Sequence, residues 1–116
     1  MKNYKFLLFF LSFYIIQSVC YGQMSQSDFV GTWTMNPTNS SHILSKMVIK
    51  DNGSDLLISL KKEPFKTYHG KYDVVQRKLR TNINGTLYFF VYVPANGNIQ
   101  GYLESNQLKF ADYSKN

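Results

Sequence analysis

The stretch DFVGTWTMN, residues 28–36, carries an apolar or small residue at every second position from Phe29 onward. The odd-numbered residues from Phe29 to Met35 would share one face of an extended chain, because side chains along a β-strand point alternately to its two faces. Apolar residues on one side of a helix would instead recur every three or four positions. The stretch therefore predicts a first β-strand that buries one face.

The same period-two alternation continues along the rest of the chain. The residues that it assigns to the buried face are Met47 and Ile49; Leu56, Ile58 and Leu60; Tyr68, Gly70, Tyr72 and Val74; Leu79, Thr81 and Ile83; Ile99, Gly101 and Leu103; and Leu108 and Phe110. Most of these segments are separated by turns that contain Asn and Gly, which tolerate the positive φ that tight hairpins need. The chain is thus predicted to be a series of short strands joined by hairpin turns.

Residues 86–93 differ from the other segments because both of their faces are apolar. On the predicted alternation Phe89 belongs to the inner face, and Tyr88, Phe90 and Tyr92 point outward. These three rings would lie under a loop, against a neighbour or on an exposed contact patch. Tyr88, Phe90 and Tyr92 are therefore candidates for an interaction face.

Eight consecutive strands with short connections predict an up-and-down antiparallel sheet. An open sheet of this kind would leave two unpaired edges and one uncovered apolar face, and closure into a barrel removes both. We therefore expect an all-β fold, a small eight-stranded barrel formed by residues 23–116. A half-open barrel or a small sandwich is the alternative, because the strands are short.

Gly31-Thr32-Trp33 in the first strand resembles the first-strand motif of the lipocalins and the wider calycin group, and of small lipocalin-like domains in exported bacterial proteins. This resemblance implies that Gly31 allows a close backbone approach and that Trp33 closes one end of an eight-stranded barrel. Both residues would then be structural. In lipocalins a late-strand arginine packs across this tryptophan, whereas the last two predicted strands here contain Lys109 and no arginine.

Residues 1–22 have the composition of a secretory signal peptide. Two lysines precede an apolar run that ends at Ile16, short of the roughly twenty residues of a membrane-spanning helix. Cleavage of this signal helix after Gly22 would release a domain that begins at Gln23, without a membrane span, into the periplasm or the medium. Lipid attachment at Cys20 and an uncleaved anchor are the alternatives. Since Cys20 is the only cysteine, the mature domain would lack disulfides, which favours a bacterial envelope protein.

The charged and nucleophilic side chains exclude several classes of function. The net charge of +6 includes two lysines of the leader. Basic residues are clustered only at Lys61-Lys62 and at residues 77–80. We assign both clusters to solvated strand faces rather than to nucleic-acid binding. His42 and His69 have no third metal ligand at recognisable spacing, and the chain lacks a Gly-x-Ser-x-Gly motif. We therefore predict no catalytic residue, no metal and no cofactor, and hence a protein that is not an enzyme.

The predicted inner face is rich in aromatic rings, which favours a binding function. A tyrosine hydroxyl inside a barrel needs a hydrogen-bond partner, which a ligand can supply. The candidate ligand-binding residues are Tyr68, Tyr72, Phe89 and Phe110. The leading hypothesis is an exported module that takes a small hydrophobic or amphipathic ligand into the barrel. The alternative is a protein-interaction module, an inhibitor or an envelope subunit, whose barrel is filled by its own side chains.

Overall fold

The computed structural model describes residues 25–116. The predicted signal peptide and Cys20 lie outside these residues. A short 3-10 helix, Gln26–Phe29, precedes eight strands, which are β1 Gly31–Asn36, β2 Lys46–Asp51, β3 Leu56–Leu60, β4 Glu63–Asp73, β5 Lys78–Ile83, β6 Thr86–Val93, β7 Asn98–Leu103 and β8 Lys109–Lys115.

The eight strands form one closed antiparallel barrel, in which each strand pairs with the next one along the chain. The barrel closes where β1 pairs with β8, and Met35 lies opposite Tyr113 there. The predicted eight-stranded up-and-down barrel is confirmed, and the sheet is closed rather than half-open. Closure gives every strand two hydrogen-bonded neighbours, so the sheet has no unpaired edge strands.

The up-and-down order places successive loops at alternate ends of the barrel. The end with the 3-10 helix, here called the helix end, also holds the loops after β2, β4 and β6. There Gln26 Nε2 donates a hydrogen bond to the carbonyl oxygen of Gly53 at 2.8 Å. The opposite end, here called the far end, holds the loops after β1, β3, β5 and β7.

The barrel interior is filled by apolar side chains. The core cluster consists of Phe29, Trp33, Met35, Leu44, Met47, Ile49, Leu56, Ile58, Leu60, Leu79, Ile83, Phe90, Ile99 and Tyr113. The predicted inner faces of β2, β3 and β5 are confirmed by their alternating burial. The predicted inward orientation of Val74 and Leu108 is wrong, because both are exposed in loops between strands.

β6 presents the opposite face to the core from the one predicted. Phe90 lies opposite Leu79 on β5 and Gly101 on β7, and it is 0% exposed. Tyr88 and Tyr92 are partly buried and pack against the same core. The prediction that Tyr88, Phe90 and Tyr92 point outward is therefore wrong.

The register of the β5–β6 hairpin explains this orientation. Ile83 is buried and lies directly opposite Thr86 across the two-residue turn, and directly opposed residues share a face of a sheet. The even-numbered residues of β6 therefore point to the inner face, as Thr86 does, and Phe89 lies on the outer face. Alternation alone does not distinguish the two faces of β6, because both are apolar, and pairing with β5 decides which one is buried.

Trp33 is buried where β1 meets β8. Its Nε1 donates a hydrogen bond to the carbonyl oxygen of Phe29 at 2.8 Å, which ties the 3-10 helix to β1. The Lys115 ammonium lies 5.7 Å from the indole ring, within the range of a cation–π contact. Gly31, at φ +147°, leaves room for this lysine, because a Cβ there would lie 2.5 Å from Lys115 Cε. The cation over the indole thus comes from the end of β8 and is not Lys109.

Candidate functional site

The four predicted ligand-binding residues lie in three separate places. Tyr68 and Phe110 are partly buried towards the far end. Tyr72 lies at the helix end, where its ring centroid is 5.8 Å from that of Phe29. Phe89 is on the outer face of β6 and does not face the interior, contrary to the prediction. The structure therefore does not bring these four side chains together.

Aromatic rings occupy the far end of the barrel interior. Phe110 lies over Gly101, where a Cβ would come within 2.7 Å of its Cζ. His42, from the loop after β1, stacks on Phe110 with 5.5 Å between ring centroids and an interplanar angle of 6°. The buried hydroxyl of Tyr113 holds the same loop by donating a hydrogen bond to the carbonyl oxygen of Leu44 at 2.8 Å. Side chains of the domain itself thus close this mouth.

The 3-10 helix closes the other mouth. Its last residue, Phe29, is buried and contacts the rings of Tyr72 and Tyr92, whose centroids are 5.8 and 6.3 Å away. Burial raises the pKa of the Tyr72 hydroxyl above its usual value. An eight-stranded barrel is just wide enough for its own side chains to fill it, and these rings complete the filling at both ends.

The middle of the outer face of β6, at Phe89, is covered by side chains of the neighbouring strands. Phe89 is only 6% exposed, since the ring of Tyr102 stacks on it with 4.9 Å between centroids. Lys78 Nζ lies 4.1 Å from the centroid of the Phe89 ring. The long side chain of a lysine can cover an apolar ring such as that of Phe89 while its charged end stays in contact with water. This covering accounts for the ring of Phe89 on the outer face of β6, whereas Leu87 on the same face is 54% exposed.

The β3–β4 hairpin carries an exposed ring that is not among the predicted site residues. Phe65 is 100% exposed, whereas every other large apolar side chain of residues 25–116 is at least partly covered. Residues 64–66 stand between the last two pairs of the β3–β4 ladder, where the register shifts, and therefore form a bulge. We call residues 61–66, KKEPFK, the basic tip; it lies at the far end.

A hydrogen-bond network around Glu63 holds the basic tip in place. The Glu63 carboxylate accepts hydrogen bonds from the Lys66 ammonium at 3.0 Å and from Asn84 Nδ2 at 2.9 Å, and the Tyr68 hydroxyl lies 3.1 Å away. The hydrogen bond from Lys66, followed by that from Asn84, holds the pKa of Glu63 below its usual value. The network ties the bulge to the turn between β5 and β6 and so orders the segment that carries Phe65.

A surface groove of about 360 Å³ adjoins the basic tip. Its lining residues are Lys46, Val48, Ser59, Leu60, Lys61 and Pro64. Residues 25–116 carry eleven basic and seven acidic side chains, a net charge of +4. Lys46, the three lysines of the basic tip and Glu63 together account for +3 of that total. Most of the excess positive charge therefore surrounds one exposed phenylalanine.

The two histidines lie in different parts of the domain. His69 pairs with the Asp55 carboxylate on the outer surface, at 2.7 Å, while His42 is in the loop that closes the far end. Hydrogen bonds from Asn52 and from His69 hold the pKa of Asp55 below its usual value. Within the described range 25–116, no three His, Cys, Asp or Glu side chains are grouped to hold a metal ion.

The sequence does contain a signal for the basic tip. Lys61-Lys62 fits a solvated strand face and Pro64 fits a loop when each is considered alone. Phe65 is the distinguishing feature, because it places an aromatic ring in a polar loop between lysines. A large apolar residue that is out of phase with both flanking strands indicates a contact surface rather than a core position.

Comparisons with known proteins do not identify a family. No family model matches the sequence, and no curated protein or solved structure is significantly similar to it. In the part of the chain that the structure describes, no helix has the length and apolar character needed to span a membrane. The function must therefore be argued from the site itself.

Proposed function

We propose that this chain is an exported, lipocalin-like binding module that acts through its outer surface, with the basic tip as the contact site for an anionic partner. The observation that carries this proposal is the complete exposure of Phe65 on a bulge held by the Glu63 network. The barrel serves as the scaffold that positions the tip, and the proposal involves no catalytic step.

The packed interior favours this proposal over a ligand inside the barrel. A ligand at the far end would have to displace Phe110 and the stacked His42. At the helix end it would have to displace Phe29, whose carbonyl oxygen accepts the indole hydrogen bond of Trp33. Either change would disrupt part of the core that stabilises the barrel.

The chemistry of the basic tip suits an anionic partner. Burying a phenylalanine ring in a contact contributes about 1.5–3 kcal/mol. A local excess of positive charge speeds the approach of an anionic partner and orients it. Since the Glu63 network already orders the bulge, binding requires little further loss of conformational entropy.

Amide chemical shifts of uniformly labelled mature protein, recorded with two probes, test the proposal. Hexaglutamate represents an anionic partner, and palmitate represents an apolar ligand of the barrel. We expect hexaglutamate to shift the amides of Lys46, residues 59–63, Phe65 and Lys66. Palmitate should leave the amides of Ile58 and Phe90 in place. Shifts of Ile58 and Phe90 with palmitate, without a response of the tip to hexaglutamate, would place the site inside the barrel and refute the proposal.

A pair of charge-reversal variants provides the control. Lys61→Glu with Lys62→Glu changes the tip, and Lys50→Glu with Lys71→Glu makes the same change of net charge at two exposed positions outside it. We expect the response to hexaglutamate to disappear only in the tip variant. An equal loss in both variants would show that net charge alone attracts the peptide, which would also refute a site at the tip.

A further inference from the structure

We propose that the partner of the basic tip is the surface of an anionic lipid bilayer, into which the ring of Phe65 inserts at the boundary between headgroups and acyl chains. This inference rests on the proposed function, since it names the partner of the same site. It concerns residues 61–66 and requires no change in the barrel.

The shape of the basic tip favours a bilayer over a folded protein as the partner. Phe65 is fully exposed, and its neighbours Pro64 and Lys66 are exposed as well, so the bulge is convex. A protein would need a matching cavity to bury a single protruding ring. A bilayer interface is deformable and accepts an apolar side chain at its boundary without a preformed pocket.

The charge around the ring is complementary to an anionic surface. Lys61, Lys62 and Lys66 flank Phe65, and all three are exposed. Stable attachment to a membrane generally needs two signals, such as an apolar insertion together with a basic patch. Each lysine near an anionic leaflet strengthens binding about fivefold. The tip supplies both signals within six residues.

The helix end of the barrel lacks this combination. Val74 and Val75 are exposed in the loop after β4, but the nearest charged residues along the chain are Asp73 and Arg77, which are of opposite sign. Exposed apolar residues therefore occur at both ends, while most of the excess positive charge lies around Phe65. The helix end thus provides an internal control for the far end.

Two single tryptophan substitutions test the proposal in the mature protein, whose N-terminus is first established by mass spectrometry. Phe65→Trp places an indole on the tip, and Val75→Trp places one at the helix end. Both positions are exposed, so neither change disturbs the core, and buried Trp33 contributes the same background to both. The probes are vesicles with brominated acyl chains, made of phosphatidylcholine alone or of phosphatidylcholine with phosphatidylglycerol.

We expect the new indole of Phe65→Trp to shift its emission to the blue and to be quenched by the brominated chains only in vesicles that contain phosphatidylglycerol. The indole of Val75→Trp should remain unquenched. Adding Lys61→Glu and Lys62→Glu should weaken the binding of Phe65→Trp at least about thirtyfold, because two lysines are lost. Anchoring through the segment that precedes residue 25 would not favour the indole at position 65, because the described chain begins at the helix end.

The inference is overturned if the indole at position 65 is not quenched, if it is quenched equally by vesicles of phosphatidylcholine alone, or if the indole at position 75 is quenched as strongly. A response of the tip amides to hexaglutamate without quenching would leave the proposed function standing. It would identify the partner as an acidic protein segment rather than a membrane.

Discussion

Phe65, Phe89 and Phe90 form a matched series, in which the same side chain occurs in three environments. Phe65 is 100% exposed on the basic tip, Phe89 is 6% exposed on the outer face of β6, and Phe90 is 0% exposed in the core. Replacing each in turn by alanine tests the orientation of β6, because Phe89 and Phe90 are adjacent and only one of them can face inward.

The contacts of each ring give the expected loss of stability. Phe90 packs against the rings of Phe110 and Tyr113, and Phe90→Ala should lower the free energy of unfolding by about 3–5 kcal/mol. Phe89→Ala loses the burial of a ring that is 6% exposed, with its stacked partner, and should cost about 1.5–3 kcal/mol. The cost should be smaller than for Phe90→Ala because the outer position leaves no closed cavity in the core. Phe65→Ala removes a ring that contacts only solvent and should change stability by less than about 0.5 kcal/mol.

Urea unfolding followed by the fluorescence of Trp33 measures all three values, because this buried indole is the only tryptophan in the chain. If Phe90→Ala leaves too little folded protein for a baseline, Phe90→Leu keeps most of the volume and preserves the comparison with Phe89→Leu. A larger cost for Phe89→Ala than for Phe90→Ala would refute the orientation of β6 and the account of the core.

Two further substitutions test how the far end is closed. Tyr113→Phe leaves the Leu44 carbonyl oxygen without its hydroxyl donor and should cost about 1–3 kcal/mol at neutral pH. Burial raises the pKa of Tyr113. Its contribution to the free energy of unfolding is therefore fully present below about pH 10 and is lost as the pH rises further. In urea titrations from about pH 7 to 11 the stability of the variant should fall less steeply at alkaline pH than that of the wild type, and identical slopes would contradict this. Gly101→Ala directs a methyl group at Phe110 Cζ, 2.7 Å from the new Cβ, and should cost about 1–3 kcal/mol by overpacking. The double variant Gly101→Ala with Phe110→Leu should regain part of that stability, as measured by thermal unfolding. If the stability losses of the two single variants simply add, the two positions are not coupled.

Local features of the sequence were sufficient to predict the strands and their order. In β2, β3 and β5 one face is apolar and the other polar, so that alternation predicts both the strand and its buried side. The Asn-Gly turn at residues 84–85 predicts a hairpin because both residues adopt the positive φ that the turn needs, as the structure shows with +53° and +87°. Short connections then leave neighbouring strands antiparallel.

The location of the candidate site was not predictable in the same way. Lys61, Lys62 and Phe65 are close in sequence, but alternation does not show that residues 64–66 leave the ladder. The shift in pairing between Ser59 and Leu60 produces this bulge. The Glu63 network also joins residues from two different hairpins, and no local pattern specifies that contact.

The amino-acid sequence by itself thus determined an all-β chain of eight consecutive strands, since the period of the side chains and the chemistry of the turns act over a few residues. Only the tertiary structure decided which face of β6 is buried, that Lys115 covers Trp33, and that Phe65 stands exposed among lysines. Each of these depends on the pairing of strands. Pairing is a long-range property, because a one-residue change of register moves every side chain of a strand to the opposite face.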